Sequence, residues 1–249
     1  MDARESTEKS ESPAEDAAPG LLDLPSTAPP GVKRPSLGVL GGTFDPVHRA
    51  HVRLACTLRA ELDLERVLLV PAARPPLKNH EIAAALDRRA MLQLAIEGMA
   101  GLEVCDIELQ RSGPSYTVDT LRALRASWPE HRLWFALGAD ALADLESWRE
   151  PEALFALASF AVVPRGGTRS TLCLSRTLPA RFAAAFRRGP HGLVHESGEE
   201  LRALAFEPSE ISSSEIRARL RKGEDVGEWV PAPVLAYIQA HGLYQEEEE

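Results

Sequence analysis

The sequence predicts an α/β protein built on a doubly wound, mainly parallel sheet. Two observations carry that expectation. From Leu37 onward, short apolar runs alternate with stretches of helical spacing, the signature of repeated βαβ units. The first run also ends in a pair of glycines that passes directly into a helical pattern, a turn suited to phosphate binding.

The elements follow in order. Residues 37–40, 66–70, 102–105, 132–137 and 159–163 are short and apolar and are predicted strands. After the glycine turn, Leu54 and Leu58 stand four apart on a first helix. Helical spacing recurs over 87–99, with Met91, Leu94 and Ala95 on one face, and over 117–127. Residues 139–148 and 151–157 read as two short helices, and 213–221 and 232–241 as the closing pair. Between them, Gly166-Gly167 and Gly189-Pro190 are loop signals, so 165–208 is expected to be an irregular insertion holding one helix over 178–187. Doubly wound sheets bind ligands beyond the carboxyl ends of their strands, so the turns after Leu40, Val70, Leu137 and Val163 should gather into one site.

Composition narrows the class. The 249 residues are 44% hydrophobic, enough for a full α/β core. With 37 acidic against 28 basic residues the net charge is −9, which argues against a general nucleic-acid binder. Cys56, Cys105 and Cys173 lack C-x-x-C spacing, so neither a disulfide framework nor a zinc site is expected, and a reducing cytoplasm is the simpler location. No apolar run approaches the roughly 18 residues of a membrane span, and the acidic, proline-rich start does not read as a secretory signal. Residues 1–35 are expected to be a disordered tail, 36–244 the folded domain and 245–249 an acidic end. The oligomeric state is left open.

The chemistry concentrates at Gly41-Gly42-Thr43-Phe44-Asp45-Pro46-Val47-His48-Arg49-Ala50-His51. Paired glycines after a strand permit positive φ and close backbone approach to a ligand. The helix start that follows offers free N–H groups and a partial positive charge. His48 and His51, three apart, project from one helical face there, and two histidines beside a positive helix end suggest a compensating anion. No G-x-x-x-x-G-K-[ST] loop occurs, which argues against a P-loop enzyme. Downstream, Ser212 and Glu215 form an S-x-x-E capping box, which accounts for both residues but not for Arg217 one turn further in. Asp140, in Gly138-Ala139-Asp140, can simply cap a helix, and Trp148 can be plain core.

The first string resembles the G-G-T-F-D-P-x-H-x-G-H motif of the nucleotidylyltransferase superfamily. Ile211-Ser212-Ser213-Ser214-Glu215-Ile216-Arg217 is similar to its I-S-S-T-x-I-R element. One departure stands out: Ala50 occupies the usual glycine. The resemblance implies a Rossmann-like sheet of nucleotidylyltransferase type. It implies an ATP site at Gly41, Gly42, Thr43, Phe44, Asp45, Gly138, Asp140, Ser213 and Ser214, with His48, His51 and Arg217 as catalytic groups and Asp140 on the ribose. Gly113-Pro114-Ser115-Tyr116-Thr117-Val118-Asp119-Thr120-Leu121 and Pro75-Pro76-Leu77-Lys78 resemble elements of the nicotinate mononucleotide branch, although Leu77 replaces a histidine. That likeness covers roughly residues 36–244 and implies Lys78, Ser115, Tyr116, Thr117 and Trp148 as acceptor contacts, with the tryptophan stacked on the pyridine ring. The implied reaction joins ATP, with Mg²⁺, to nicotinate mononucleotide and gives deamido-NAD and pyrophosphate, a step of NAD biosynthesis. A sister enzyme with another phosphate acceptor and a non-catalytic nucleotide sensor are the alternatives.

Overall fold

The structure is a computed structural model that describes residues 34–74, 82–164, 172–207 and 211–245. Lys78 lies outside the described residues, as do residues 1–33 and 246–249 of the expected tails. The strands are β1 (Ser36–Gly42), β2 (Arg66–Pro71), β3 (Leu102–Val104), β4 (Arg132–Gly138), β5 (Ser159–Val163), β6 (Phe186–Gly189), β7 (Gly192–His195) and β8 (Glu200–Ala203). The helices are α1 (Arg49–Glu61), α2 (Ala85–Ala95), α3 (Thr117–Ser127), α4 (Ala139–Ala143), α5 (Pro151–Leu157), α6 (Leu174–Thr177), α7 (Ser213–Arg221) and α8 (Ala232–Ala240). They surround one sheet of order β3-β2-β1-β4-β5-β8-β7-β6.

Side chains alternate across the sheet, and both faces are buried, which is why the strands read as continuous apolar runs. On one side Leu40, Val67, Leu69, Trp134 and Ala161 pack with Leu58 of α1, Met91 and Leu92 of α2, Ile216 of α7 and Val234 of α8. On the other, Leu37, Val39, Leu68, Phe135 and Val162 pack with Val118 and Leu121 of α3, Leu142 of α4 and Phe155 of α5. Strands β1 to β5 are parallel, and the chain grows outward through β2 and β3 before returning to place β4 on the far side of β1. That reversal opens a crevice between the ends of β1 and β4, where Gly41-Gly42 and Gly138 emerge.

The insertion expected to be irregular continues the sheet instead. Strand β8 pairs parallel with β5, and β7 and β6 follow as an antiparallel hairpin. No residue of β6 or β7 is fully buried, so neither carries the period of two by which a strand is read from sequence. The helix expected over 178–187 is a 3-10 turn, Ala180–Ala185, that runs into β6. Phe186, which looked like the end of that helix, sits edge-on to Phe155 at 4.9 Å and belongs to the sheet layer. The helix expected over 139–148 divides into α4 and a 3-10 turn at Leu145–Ser147.

One buried cation fixes the site edge of this frame. Arg88 of α2 is 0% exposed, and its guanidinium donates to three carbonyls: Thr43 after β1 (2.7 Å), Ala72 after β2 (2.7 Å) and Ala83 before α2 (2.9 Å). A planar fork of donors can serve three separate loops, whereas an ammonium group cannot span them. Arg88→Met should therefore lower the unfolding free energy by about 3 kcal/mol or more, because it orphans buried acceptors. Arg88→Lys should recover little of that loss. Urea unfolding of the three proteins measures both.

Candidate active site

Strand β1 ends at Gly42, and the chain turns through Thr43, Phe44 and Asp45 before α1 begins with His48 as its N-cap. The left-handed backbone expected of the glycines falls on Phe44, at φ 51°. A large side chain there costs energy that its surroundings must repay. The Phe44 ring does so by packing over Gly42, where an added Cβ would meet ring carbons at 3.0 to 3.2 Å, and by meeting the His51 ring edge-on at 5.1 Å. Gly42 is thus explained by the protein itself. Gly41 is not: an added Cβ would come no closer than 3.6 Å to Phe135, so its bareness leaves room beside the cavity.

The two histidines lie together, with ring centroids 3.8 Å apart. The His48 backbone N–H donates to His51 Nδ1 at 3.3 Å, which places the His51 proton on Nε2. His48 Nδ1 is buried with no hydrogen-bond partner among the described residues. Burial pushes the His48 imidazole down to about 4, and burial with the neighbouring His48 pushes His51 down to about 3. Both rings are neutral at pH 7 in the free protein. They offer an anion N–H donors rather than positive charge.

Permanent charge comes from Arg217, which is 7% exposed and not a solvated helix residue. Its guanidinium donates to Asp45 O at 2.7 Å, lies 3.4 Å from Asp45 Oδ2 and reaches Ser214 Oγ at 3.5 Å. Asp45 is a hub rather than a free ligand: its Oδ1 also accepts from Ala83 N–H (3.1 Å) and from the Tyr244 hydroxyl (2.7 Å). Burial, with Asp45 beside it, holds the Tyr244 phenol protonated far above its usual range. Ser212 caps α7 by accepting from Glu215 N–H at 3.2 Å, and Ser213 Oγ donates to Pro46 O at 3.0 Å. The two motifs, distant in sequence, are bonded to each other.

A cavity opens at the β1–β4 crevice. Gly41, Gly42, Thr43, Ser115, Thr117 and Trp148 line it, so residues singled out in three separate segments meet there. Trp148 is partly exposed, edge-on to Phe135 at 6.4 Å, and lines the cavity while also packing against the core. Ser115 lines the cavity, but its N–H donates to Arg74 O (3.1 Å) and its Oγ accepts from Ala73 N–H (3.0 Å), tying the exit of β2 to the entrance of α3. Tyr116 is the N-cap of α3, with Arg149 over its ring. A second cavity is lined by His48, Arg49, Ala50, Arg53, Ile211, Glu228 and Trp229. Gly138 and Asp140 sit at the exposed end of β4, on the same sheet edge but outside both linings.

Sequence reasoning missed Arg88, Glu108, Thr120, Phe135 and Tyr244. Arg88 had a signal: with Met91, Leu92 and Ala95 it forms an inward i, i+3, i+4, i+7 stripe, where an arginine must be buried.

The fold and paired motifs define a nucleotidyltransferase, and comparison with known proteins agrees. Residues 39–219 match the family model described as cytidylyltransferase-like. A probable nicotinate-nucleotide adenylyltransferase of Desulfatibacillum aliphaticivorans is 38% identical over 84% of this chain and 99% of its own length. A protein of the same description from Laribacter hongkongensis is 42% identical over 86% of this chain and 96% of its own. The solved Plasmodium falciparum nicotinic acid mononucleotide adenylyltransferase, complexed with NaAD, shares the fold at a TM-score of 0.65 with 21% identity, over 84% of this chain and 97% of that one. The chain belongs to the cytidylyltransferase-like family and, within it, to the nicotinate-nucleotide adenylyltransferases.

Two outcomes follow from this geometry. Gly42→Ala should lower the melting temperature, because the Phe44 ring must move. Gly41→Ala should leave it nearly unchanged while raising KM for substrate, a split that thermal melts and initial rates resolve.

The histidines also carry a pH signature. Their folded values lie below the unfolded value of about 6.5, so the unfolded chain takes up more protons as pH falls. Their contribution is whole above pH 6.5 and is lost progressively toward about 4 and below. Urea unfolding at pH 7.5 and pH 5 should show a smaller loss for a His48→Gln/His51→Gln double variant than for wild type.

Proposed function

We propose that the chain transfers the adenylyl group of ATP to nicotinate mononucleotide, releasing pyrophosphate and forming deamido-NAD. The observation that carries this reading is the cavity at the β1–β4 crevice, where the glycine turn and the α3 entrance share one wall with Trp148. The acceptor lies there with its pyridine ring against Trp148. The nucleotide lies across His48, toward the second cavity and the start of α7. Ala50 lines that second cavity, so its methyl group borders the nucleotide.

The acceptor's phosphate oxygen attacks the α-phosphorus of ATP, and the bond from that phosphorus to the bridging oxygen of pyrophosphate breaks. A phosphate anion needs no base, so the residues work by positioning and by charge stabilisation. The Ala50 N–H in the first turn of α1 and the Nε2–H of His51 donate to phosphate oxygens as charge moves to the leaving group, since the Arg49 and His51 N–H groups are bonded to the Trp229 and His48 carbonyls. Arg217 supplies fixed positive charge beside Ser214 at the head of α7, with Ser213 holding that helix end to the glycine turn.

Mg²⁺ enters as part of the substrate, carried on the phosphate oxygens of ATP. Among the described residues no group of three or more His, Cys, Asp or Glu is placed to hold a metal ion, and the buried Asp45 carboxylate faces protein partners. No step is assigned to a protein-bound metal. Lys78 is proposed as a contact to the acceptor. Among the described residues no helix is long and apolar enough to cross a membrane. We place the reaction in the cytoplasm, a location that the three free cysteines support.

The carboxylate of the acceptor meets the start of α3. Ser115 N–H is already committed, so the donors are the Thr117 and Val118 N–H groups, which helix geometry leaves without intrahelical partners. A hydrogen bond to a charged group contributes about 1.5–3 kcal/mol, so the acid should exceed its amide in kcat/KM by roughly tenfold or more. The test is pyrophosphate release from ATP with each mononucleotide. Absence of release with either would overturn the reading, and release only with an unrelated phosphate acceptor would favour a sister enzyme.

A further inference from the structure

Glu108 lines the same cavity and has no part in the mechanism above. It is 8% exposed, yet only one of its oxygens is bonded: Oε1 accepts from the Thr120 hydroxyl at 2.7 Å. Oε2 is buried and has no hydrogen-bond partner among the described residues. The charge of Arg88 reaches Glu108, but among the described residues neither neighbouring arginine bonds its carboxylate. Arg111 donates to Thr120 Oγ1 at 3.1 Å, and Arg88 is shared among three carbonyls. A buried carboxylate oxygen without a hydrogen bond is still costly, and a cation that enters the cavity relieves that cost.

The rest of the lining sharpens the chemistry. Phe135 and Trp148 line the cavity too, and aromatic faces attract cations through their quadrupole. An acidic side chain and two aromatic rings lining one cavity suit a flat organic cation. The ring of a pyridine mononucleotide is such a group, because its glycosylated nitrogen is quaternary and carries a full positive charge.

We propose that Glu108 is a specificity-determining residue that reads the charge of the acceptor's ring, so that the cavity takes a pyridinium nucleotide and rejects the uncharged dihydropyridine form. This rests on the acceptor-site reading above. It also gives the pocket two electrical ends, the α3 N-terminus for the ring's carboxylate and Glu108 for its nitrogen-borne charge. Trp148 alone would stack on either ring, and the α3 donors would meet the same carboxylate on either.

The experiment is calorimetric titration of the intact protein, without ATP, with nicotinate mononucleotide and with its 1,4-dihydro form, which differ only in the ring. Wild type should bind the pyridinium form roughly ten- to a hundredfold more tightly, the range expected for opposite charges several ångströms apart in a partly screened site. Glu108→Gln keeps the size of the side chain and an acceptor for Thr120, and should cut that ratio by about tenfold, mainly by weakening the pyridinium form. Glu108→Asp keeps the charge and should retain most of the ratio, with thermal melts reporting the fold of each variant.

Equal wild-type affinities for the two forms would overturn the inference without any variant. An unchanged ratio in a folded Glu108→Gln protein would overturn it as well, while leaving the adenylyltransferase reading intact. Failure of wild type to bind either mononucleotide would overturn the acceptor site and this inference together.

Discussion

The site depends on the buried Asp45 carboxylate and the three groups that hold it. Asp45 is 2% exposed, and around it converge the α2 entrance through Ala83, the C-terminal turn through Tyr244, and α7 through Arg217. Each partner comes from a different part of the chain. A charge buried this deeply needs its compensation, here two hydrogen bonds to Oδ1 and the Arg217 charge beside Oδ2, so the carboxylate demands that all three segments dock correctly. The same demand fixes Arg217, whose fork is set by the Asp45 carbonyl as well as by the carboxylate. Arg88 performs the complementary task, as a cation surrounded by carbonyls that joins the ends of β1 and β2 to α2. One buried anion and one buried cation thus turn loops at a sheet edge into a rigid cradle.

That rigidity explains how Phe44 can hold a left-handed backbone. The turn is fixed on both sides, by Arg88 at Thr43 and by Arg217 at Asp45, so the residue between them has little freedom. Its ring then covers Gly42 and meets His51, which links the conformation of the turn to the position of an imidazole. The α8 helix contributes from a distance, with the Tyr237 hydroxyl on Asp87 at the start of α2 and Tyr244 on Asp45. Two phenols near the C-terminus therefore grip the two residues, Asp87 and Asp45, that flank the buried arginine's attachments.

Much of this was legible in the sequence, and the remainder was hidden for physical reasons. The five parallel strands were readable because a sheet buried on both faces leaves unbroken apolar runs, and each predicted run falls within a residue or two of β1 to β5. The motif residues were readable because glycine, histidine and arginine in fixed order have few bland explanations. Strands β6 and β7 were not readable, since a half-exposed hairpin leaves no alternation to detect. The glycine turn was placed correctly but explained in the wrong terms: its positive φ belongs to Phe44, and tertiary bonds rather than local propensity put it there. Glu108, Thr120 and Tyr244 are ordinary polar residues until the fold brings a partner to each. Their roles are properties of contacts, and no spacing rule encodes them.

The electrical state of the site follows from the same contacts. His48 and His51 are neutral, and the charge of Arg217 is balanced by Asp45 3.4 Å away. The other fixed cations nearby are Arg49 and Arg53 on the second cavity, which Glu228 also lines. A concentrated cluster of unpaired cations would strain the fold through mutual repulsion and desolvation. Helix N-termini avoid that cost, because their N–H dipoles are fixed by backbone geometry and need no counter-charge. The starts of α1 and α7 meet beside these residues, joined through Ser213 and Pro46. In the proposed nucleotide site, attraction for phosphate thus combines oriented dipoles and neutral imidazole donors with the charges of Arg49, Arg53 and Arg217, the last held by the aspartate that also positions it.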